Sequence, residues 1–202
     1  MTQVKQGRLT FSVKDAVNLG LNYLKRRRDR SLLNIASISL GLSFYTSLIL
    51  TDVFYQTYAT QGGTTLSVES TYYWLVIIAL IVSVVGITNA MLISVFERVR
   101  EIGTMKCIGA LDQHILLLFL VEALLQGAIG GLIGFVLGVA AALVSTGFTT
   151  GFNIILYVNP MRLLTIFVTS IGISLILSTV ATMYPAYRAS KLDPVEALRY
   201  EL

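Results

Sequence analysis

The chain has 202 residues, of which 55% are apolar and only 13% are charged, and its formal net charge is +4. An ordinary globular domain is about 25% charged, so this composition excludes a typical water-soluble domain and favours a membrane protein. A single cysteine, Cys107, excludes an intramolecular disulfide framework and a zinc cluster built from several thiolates.

The N-terminal segment, residues 1–30, combines an apolar stripe with a basic cluster. Its apolar side chains recur at helical spacing, at Val13, Ala16, Val17, Gly20, Leu21 and Leu24. This pattern predicts an amphipathic cytoplasmic helix that is followed by a basic anchor at residues 25–28. Two compatible interpretations stay open: a helix lying on the cytoplasmic face of the membrane, or a basic signal that only fixes topology.

Four stretches without any charged residue make up over half of the chain. They hold 21, 27, 39 and 25 residues, at 31–51, 70–96, 123–161 and 163–187. A helix needs about 20 apolar residues to cross the hydrocarbon core. We therefore predict an all-α membrane protein with four transmembrane helices, at residues 31–51, 71–96, 113–145 and 162–187. Short outer loops at 52–70 and 146–161 and a cytoplasmic tail at 188–202 complete the predicted organisation.

Lysine and arginine are concentrated in three segments, residues 1–30, 97–114 and 188–202, which together hold 14 of the 15. Positive residues are retained on the cytoplasmic side of a membrane, so both termini and the middle loop are expected there. The net charge of +4 is read as this topology signal and as a contact with anionic membrane lipids, not as nucleic-acid binding.

Small residues recur every four positions in the first and third spans, and a second such row in the first span passes through Gly41. The residues singled out are Ser39, Gly41, Ser43, Gly130, Gly134 and Gly138. Such stripes let helix backbones approach closely, because lipid supplies no hydrophobic drive for helix association. The favoured interpretation is packing within one chain, and an interface with a second copy stays open.

Glu122 is the only acidic residue near the body of a span, and an ionisable group in hydrocarbon is by default a functional candidate. It lies eight residues after His114, about 12 Å along a helix, so it is expected near the cytoplasmic headgroups. A structural or interfacial carboxylate is favoured over a role in coupling or in a transport pathway.

The middle cytoplasmic segment, residues 97–112, combines charged and apolar side chains with two glycines. Glu97, Arg98, Arg100, Glu101 and Lys106 are available for polar contacts, and Ile102, Met105 and Ile108 are predicted to form one apolar edge. Gly103 and Gly109 are expected to permit sharp turns. Composition alone fits a solvated loop as well as a docking surface.

Two longer motifs identify a family. Residues 94–110 read SVFERVREIGTMKCIGA and continue through Glu122 to Gly134, and residues 184–201 read YPAYRASKLDPVEALRYE. Both resemble the permease signature of the MacB, FtsX and LolC/LolE superfamily, the type VII ABC transporters, and residues 15–41 are similar to the first segment of that pattern. The resemblance covers nearly the whole chain in order.

The resemblance implies a permease subunit that pairs with a second copy or a paralogue, each seated on a separate cytoplasmic ABC ATPase. It implies that residues 97–112 form a coupling helix that docks on the ATPase. ATP and magnesium are then expected in the ATPase, and no cofactor or metal is expected in this chain. The absence of a G-x-x-x-x-G-K-[ST] loop agrees with a non-catalytic subunit.

This sequence departs from the family at the first outer loop, where only about 18 residues replace a large extracytoplasmic domain. We therefore expect an apolar or lipid-like substrate, taken from the bilayer of a prokaryotic cell membrane. The alternative is an FtsX-like regulator that passes its motion to a partner, such as an extracytoplasmic accessory protein, without transport. A third hypothesis is a four-span packing protein that has no ATPase.

Overall fold

The computed structural model describes residues 28–60, 70–150, 160–193, 195 and 197, and the predicted amphipathic N-terminal helix lies outside them. The described residues form five α-helices and no strand. In chain order the helices are α1 (Arg28–Thr60), α2 (Ser70–Glu97), α3 (Val99–Cys107), α4 (Asp112–Thr150) and α5 (Pro160–Ser190).

Four of these helices, α1, α2, α4 and α5, are long and apolar enough to cross a membrane. Their candidate spans are Ser31–Ala59, Thr71–Glu97, Asp112–Phe148 and Pro160–Ser190. The predicted all-α class with four membrane-spanning helices is therefore confirmed. The orientation of both termini toward the cytoplasm stays a prediction from the distribution of lysine and arginine.

Helix α1 continues to Thr60, nine residues into the segment predicted as the first outer loop. The predicted boundary was set at the first charge, Asp52, but a charge ends contact with hydrocarbon and does not end a helix. Asp52 Oδ2 accepts a hydrogen bond from Gln56 Nε2 at 2.9 Å, and Gln56 Oε1 accepts one from Arg162 Nη1 at 3.4 Å. Only residues 61–69 then connect α1 to α2, which is too short for a folded domain.

The four long helices pack as a bundle in which α4 lies against both α1 and α5, and α2 lies against the same two helices. Apolar clusters fill the interior at three levels. The level next to α3 contains Ile102, Phe119 and Ala186, the middle level contains Ile38, Met91 and Ala181, and the far level contains Leu50, Phe54 and Ile166.

Glycines of α4 bring its backbone into contact with α1. A Cβ atom built on Gly134 would lie 2.9 Å from the carbonyl oxygen of Ser39, and one on Gly138 would lie 2.8 Å from that of Ser43. Gly130 lies against the side chain of Ile38, while Gly41 of α1 faces the side chain of Ser83 of α2. The predicted stripe of small residues thus lies at contacts within the chain.

A second row of glycines on α4 faces α5. Gly131 lies against Ser174, and the Ser174 hydroxyl donates a hydrogen bond to the carbonyl oxygen of Gly127 at 2.5 Å. The backbone of α4 therefore packs closely against α1 on one side and against α5 on the other. This close packing of small residues is the usual means of helix association in lipid.

Candidate functional site

Helix α3 is a nine-residue helix that connects the second and third membrane-spanning helices. It ends in a Schellman motif, in which Gly109 N–H donates to the Lys106 carbonyl and Ala110 N–H donates to the Met105 carbonyl, both at 3.0 Å. Gly109 has φ of +105°, a left-handed conformation that favours glycine. Gly103, by contrast, lies buried inside α3, and the chain makes no turn there, because glycine permits a turn but does not impose one.

Arg98, at the junction of α2 and α3, forms a buried ion pair with Glu122 of α4. Arg98 Nη1 donates to Glu122 Oε2 at 2.8 Å and Nη2 donates to Oε1 at 3.0 Å, and the two side chains are only 4% and 2% exposed. The guanidinium carbon also lies 5.9 Å from the centre of the Phe119 ring. Such bidentate, charge-assisted pairing fixes both distance and orientation.

Both residues of this pair lie in surroundings that the sequence did not predict. Arg98 was predicted to face a partner protein, whereas its side chain is buried in the bundle, where it pairs with Glu122. Glu122, the acid predicted inside a span, has its charge compensated within the same chain. The pair therefore joins the start of α3 to α4 in the interior of the bundle.

A buried amide pair extends these contacts to α1. Asn34 Nδ2 donates to Gln126 Oε1 at 3.1 Å, and Gln126 lies one helical turn beyond Glu122 on α4. Both amides are 2% exposed. Neither side chain is ionisable, so the pattern of charges in the sequence did not reveal this pair. An uncharged amide inside a span was the signal available, since its polar atoms require a partner there.

A second set of polar contacts holds the other end of α3. Lys106 Nζ lies 2.8 Å from Asp112 Oδ1 and donates to the Ser190 carbonyl at 2.7 Å, so it joins α3 to the start of α4 and the end of α5. A cation at the C-terminal end of a helix such as α5 is also favoured by the helix dipole. Lys191 Nζ lies 3.1 Å from Asp112 Oδ2, and this pairing raises the pKa of Lys191.

The predicted apolar edge of α3 is divided between the interior and the surface. Ile102 is 4% exposed and packs in the cluster next to α3, Met105 is half-buried, and Ile108 is 80% exposed. The helical period explains the difference. Each step of three residues falls about 60° short of a full turn, so Ile102 and Ile108 differ by about 120° in direction.

The surface that α3 leaves open, here called the outer face of α3, contains Arg100, Glu101, Thr104, Ile108 and Leu111. Glu97 is half-buried beside it, and Gly109 is exposed at its edge. The outer face therefore combines charged side chains with two exposed aliphatic ones, Ile108 and Leu111. Apolar residues surrounded by polar ones are typical of a protein-binding surface.

Four span-length helices, with a short helix anchored at both ends between two of them, define a multi-pass helical membrane protein. Residues 73–194 match the family described as FtsX-like permease C-terminal. The chain belongs to this family, and it is a multi-pass protein of the prokaryotic cell membrane. The matched residues include α3, Arg98 and Glu122.

Relatives of the chain are named as exporters and permeases. The macrolide export ATP-binding/permease protein MacB of Bdellovibrio bacteriovorus is 41% identical over 124 residues, which cover 61% of this chain and 18% of that protein. MacB of Vibrio parahaemolyticus is 35% identical over 172 residues, covering 84% of this chain and 24% of the relative. The uncharacterized ABC transporter permease YknZ of Bacillus subtilis is 37% identical over 124 residues, covering 61% and 30%. The chain thus spans less than a third of the length of each of these relatives.

Proposed function

We propose that this chain is the non-catalytic membrane subunit of an ATP-driven transporter, and that the outer face of α3 binds a separate ATPase subunit. The observation that carries the proposal is the anchoring of α3 at both ends: Arg98 binds Glu122 of α4, and Lys106 binds the end of α5. Family membership and relatives named as ATP-binding/permease proteins support it. ATP and magnesium are bound by the ATPase in this arrangement.

Anchoring at both ends decides where a force on α3 goes. A flexible loop absorbs displacement by changing its own dihedral angles, whereas a helix held at both ends moves with the elements that hold it. Ile102 adds a third contact, since it packs with Ala186 of α5 and Phe119 of α4. Movement of the ATPase is thus transmitted to α4 and α5 as a mechanical stroke. Two permease protomers, identical or paralogous, work as a pair on two ATPases.

The proposed substrate is apolar or lipid-like and is taken from the bilayer for export. Among the described residues the two buried charges, Arg98 and Glu122, compensate each other. The contacts of Gly134 and Gly138 with the backbone of α1 leave no room for a hydrophilic solute between α4 and α1. A hydrophilic pathway requires uncompensated polar groups around a water-filled space. The names of the relatives, macrolide export proteins, favour an exporter.

The docking surface is tested by purifying the chain from native membranes and determining the mass and ATPase rate of the complex. We expect two permease chains with two ATPase subunits. Ile108→Glu is expected to release the ATPase, because it puts a charge at the most exposed apolar position of the outer face of α3. Phe148→Glu, which alters a side chain that is 88% exposed near the opposite end of α4, is the matched control.

Retention of the ATPase by the Ile108→Glu variant contradicts docking at the outer face of α3. A complex that holds the ATPase and an extracytoplasmic protein, and that moves no lipid-like substrate in vesicles, instead identifies the FtsX-like regulator. Recovery of the chain with no ATPase under gentle conditions contradicts the proposed subunit role altogether.

A further inference from the structure

An apolar groove of about 470 Å³ runs between α4 and α5 in the half of the bundle next to α3. Its lining includes Leu116 and Leu120 of α4 and Val180, Met183, Tyr184 and Tyr187 of α5. Val180, Met183 and both tyrosines are more than half exposed, so the groove opens outward, away from the bundle interior. It lies apart from the outer face of α3.

Two cations, Arg188 and Lys191, follow the groove at the end of α5. Tyr184 and Arg188 are four residues apart and share one face of α5, and Lys191 comes directly after the helix in a turn, where its N–H donates to the Arg188 carbonyl at 3.3 Å. Arg188 Nη1 donates to the Tyr184 hydroxyl at 3.4 Å, and Lys191 is 59% exposed although it pairs with Asp112. Along the groove, apolar side chains are thus followed by the Tyr184 hydroxyl and then by the two basic side chains.

We infer that this groove binds one anionic phospholipid, with an acyl chain between α4 and α5 and the phosphate beside Arg188 and Lys191. The order of the chemistry along α5, apolar then aromatic then cationic, is the order that such a lipid presents from its tail to its headgroup. Tyrosine is favoured at the interface between acyl chains and headgroups, and lysine and arginine near that level attract anionic lipids. The inference does not depend on the proposed ATPase coupling.

The bound lipid has a direct structural consequence for α3. Ala186 contributes to the groove and also belongs to the cluster that contains Ile102 of α3. A lipid in the groove therefore contacts both α4 and α5 from the outer surface of the bundle, within about one helical turn of Ser190, whose carbonyl accepts a hydrogen bond from Lys106. Loss of the lipid is expected to loosen the end of α5 first.

The test uses the full chain in detergent, with native mass spectrometry after addition of phosphatidylglycerol or phosphatidylcholine at equal concentration. The wild type is expected to retain one phosphatidylglycerol in preference to phosphatidylcholine. Substitution of both Arg188 and Lys191 by alanine is expected to lower that retention by about fivefold or more, given the attraction of each basic side chain for anionic lipid. Arg162→Ala, which removes an exposed cation at the far end of α5, is the matched control and is expected to retain the lipid.

A photo-crosslinking amino acid at position 180 gives a second measurement that does not depend on charge. An adduct with phosphatidylglycerol is expected, and the same probe at position 168, an exposed position of α5 outside the groove lining, is expected to show no preference for the anionic lipid. Equal retention of both lipids by the wild type overturns the inference, as does unchanged retention after the double substitution. A cross-link from position 180 to residues 1–27 or to a second copy of the chain also overturns it, because another occupant then fills the groove.

Discussion

Replacing Glu122 by glutamine isolates the contribution of the buried ion pair, because the side chain keeps its size while it loses its charge. In the wild type both carboxylate oxygens accept hydrogen bonds from Arg98, at 2.8 and 3.0 Å. In the variant one amide oxygen remains as an acceptor and the amide NH₂ faces a donor. Arg98, which is 4% exposed, then loses the carboxylate that accepts both of these hydrogen bonds.

The expected loss is about 3–5 kcal/mol of unfolding free energy, the usual cost of breaking a buried pair by removing one partner. A Coulomb estimate agrees, since two unit charges about 4 Å apart at an effective dielectric constant of about 20 attract each other by about 4 kcal/mol. The opposite change, Arg98→Ala, removes the cation and leaves Glu122 buried, and a loss of similar size is expected. Exchanging the charges in an Arg98→Glu and Glu122→Arg double variant is expected to recover part of the loss.

The assay is unfolding by titration of SDS into mixed micelles, followed by circular dichroism and by the fluorescence of Trp74, the sole tryptophan. Asp112→Asn is the matched control, since it also neutralises a carboxylate on α4 that has lysine partners, but Asp112 is 44% exposed. Solvent screening makes the effect of the control smaller. Equal losses for Glu122→Gln and Asp112→Asn, or a loss of less than about 1 kcal/mol for Glu122→Gln, would refute the reasoning from burial.

The glycines give two further predictions, both measured by the same titration. Gly134→Ala is expected to destabilise the bundle by about 1–3 kcal/mol, because the new methyl group meets the Ser39 carbonyl and neither backbone can yield without separating the helices. Gly172→Ala, where an added Cβ meets nothing within 4 Å, is its control, and an equal effect of the two would contradict the packing argument. Gly109→Ala is expected to lower the unfolding free energy by about 1–2 kcal/mol, because alanine is strained at the φ of +105° found there. The added methyl group meets no atom within 4 Å, so backbone strain alone accounts for this loss. An unchanged unfolding free energy would show that the turn relaxes.

The membrane-spanning helices were predictable because hydrocarbon imposes a length and a composition that can be read without knowing any contact. The ends of the helices were not. Asp52 is the first charge after the apolar stretch of α1, yet the helix continues to Thr60, because water also permits helical hydrogen bonds and the Gln56 side chain donates to Asp52 from the next turn. The first charge in the sequence therefore marks the end of the apolar stretch and gives no information on where the helix stops.

The location of the contact-forming residues of α3 was predictable from the sequence, but the side of the helix that faces the bundle was not. The sequence places charged and apolar residues between the second and third spans, but the spacing of Ile102, Met105 and Ile108 does not indicate which of them faces the bundle. Arg98 and Ile102 point inward because Glu122 and the cluster next to α3 receive them. The partner of Arg98, Glu122, lies 24 residues further along the chain. The partners of Ile102 lie on α4 and α5. The direction of both side chains therefore depends on tertiary packing.

The cost of burying Arg98 and Glu122 raises the question of why an ion pair lies there rather than two apolar residues. Well-packed apolar replacements of a buried pair are often as stable as the pair itself, so stability alone does not account for it. What an apolar contact lacks is direction: it tolerates sliding, whereas two parallel hydrogen bonds hold α3 at one distance and one angle from α4.

The double variant Arg98→Met and Glu122→Leu separates these two roles. It is expected to insert and to unfold at nearly the wild-type midpoint. Under the proposed function it also holds the ATPase, while transport per ATP hydrolysed falls because the start of α3 is no longer fixed to α4. The Glu122→Gln variant, in which the cation stays buried, is expected to lose stability instead. If the double variant transports with unchanged efficiency per ATP, the pair serves packing only, and transmission of the stroke must rest on the Lys106 contacts with Asp112 and the Ser190 carbonyl.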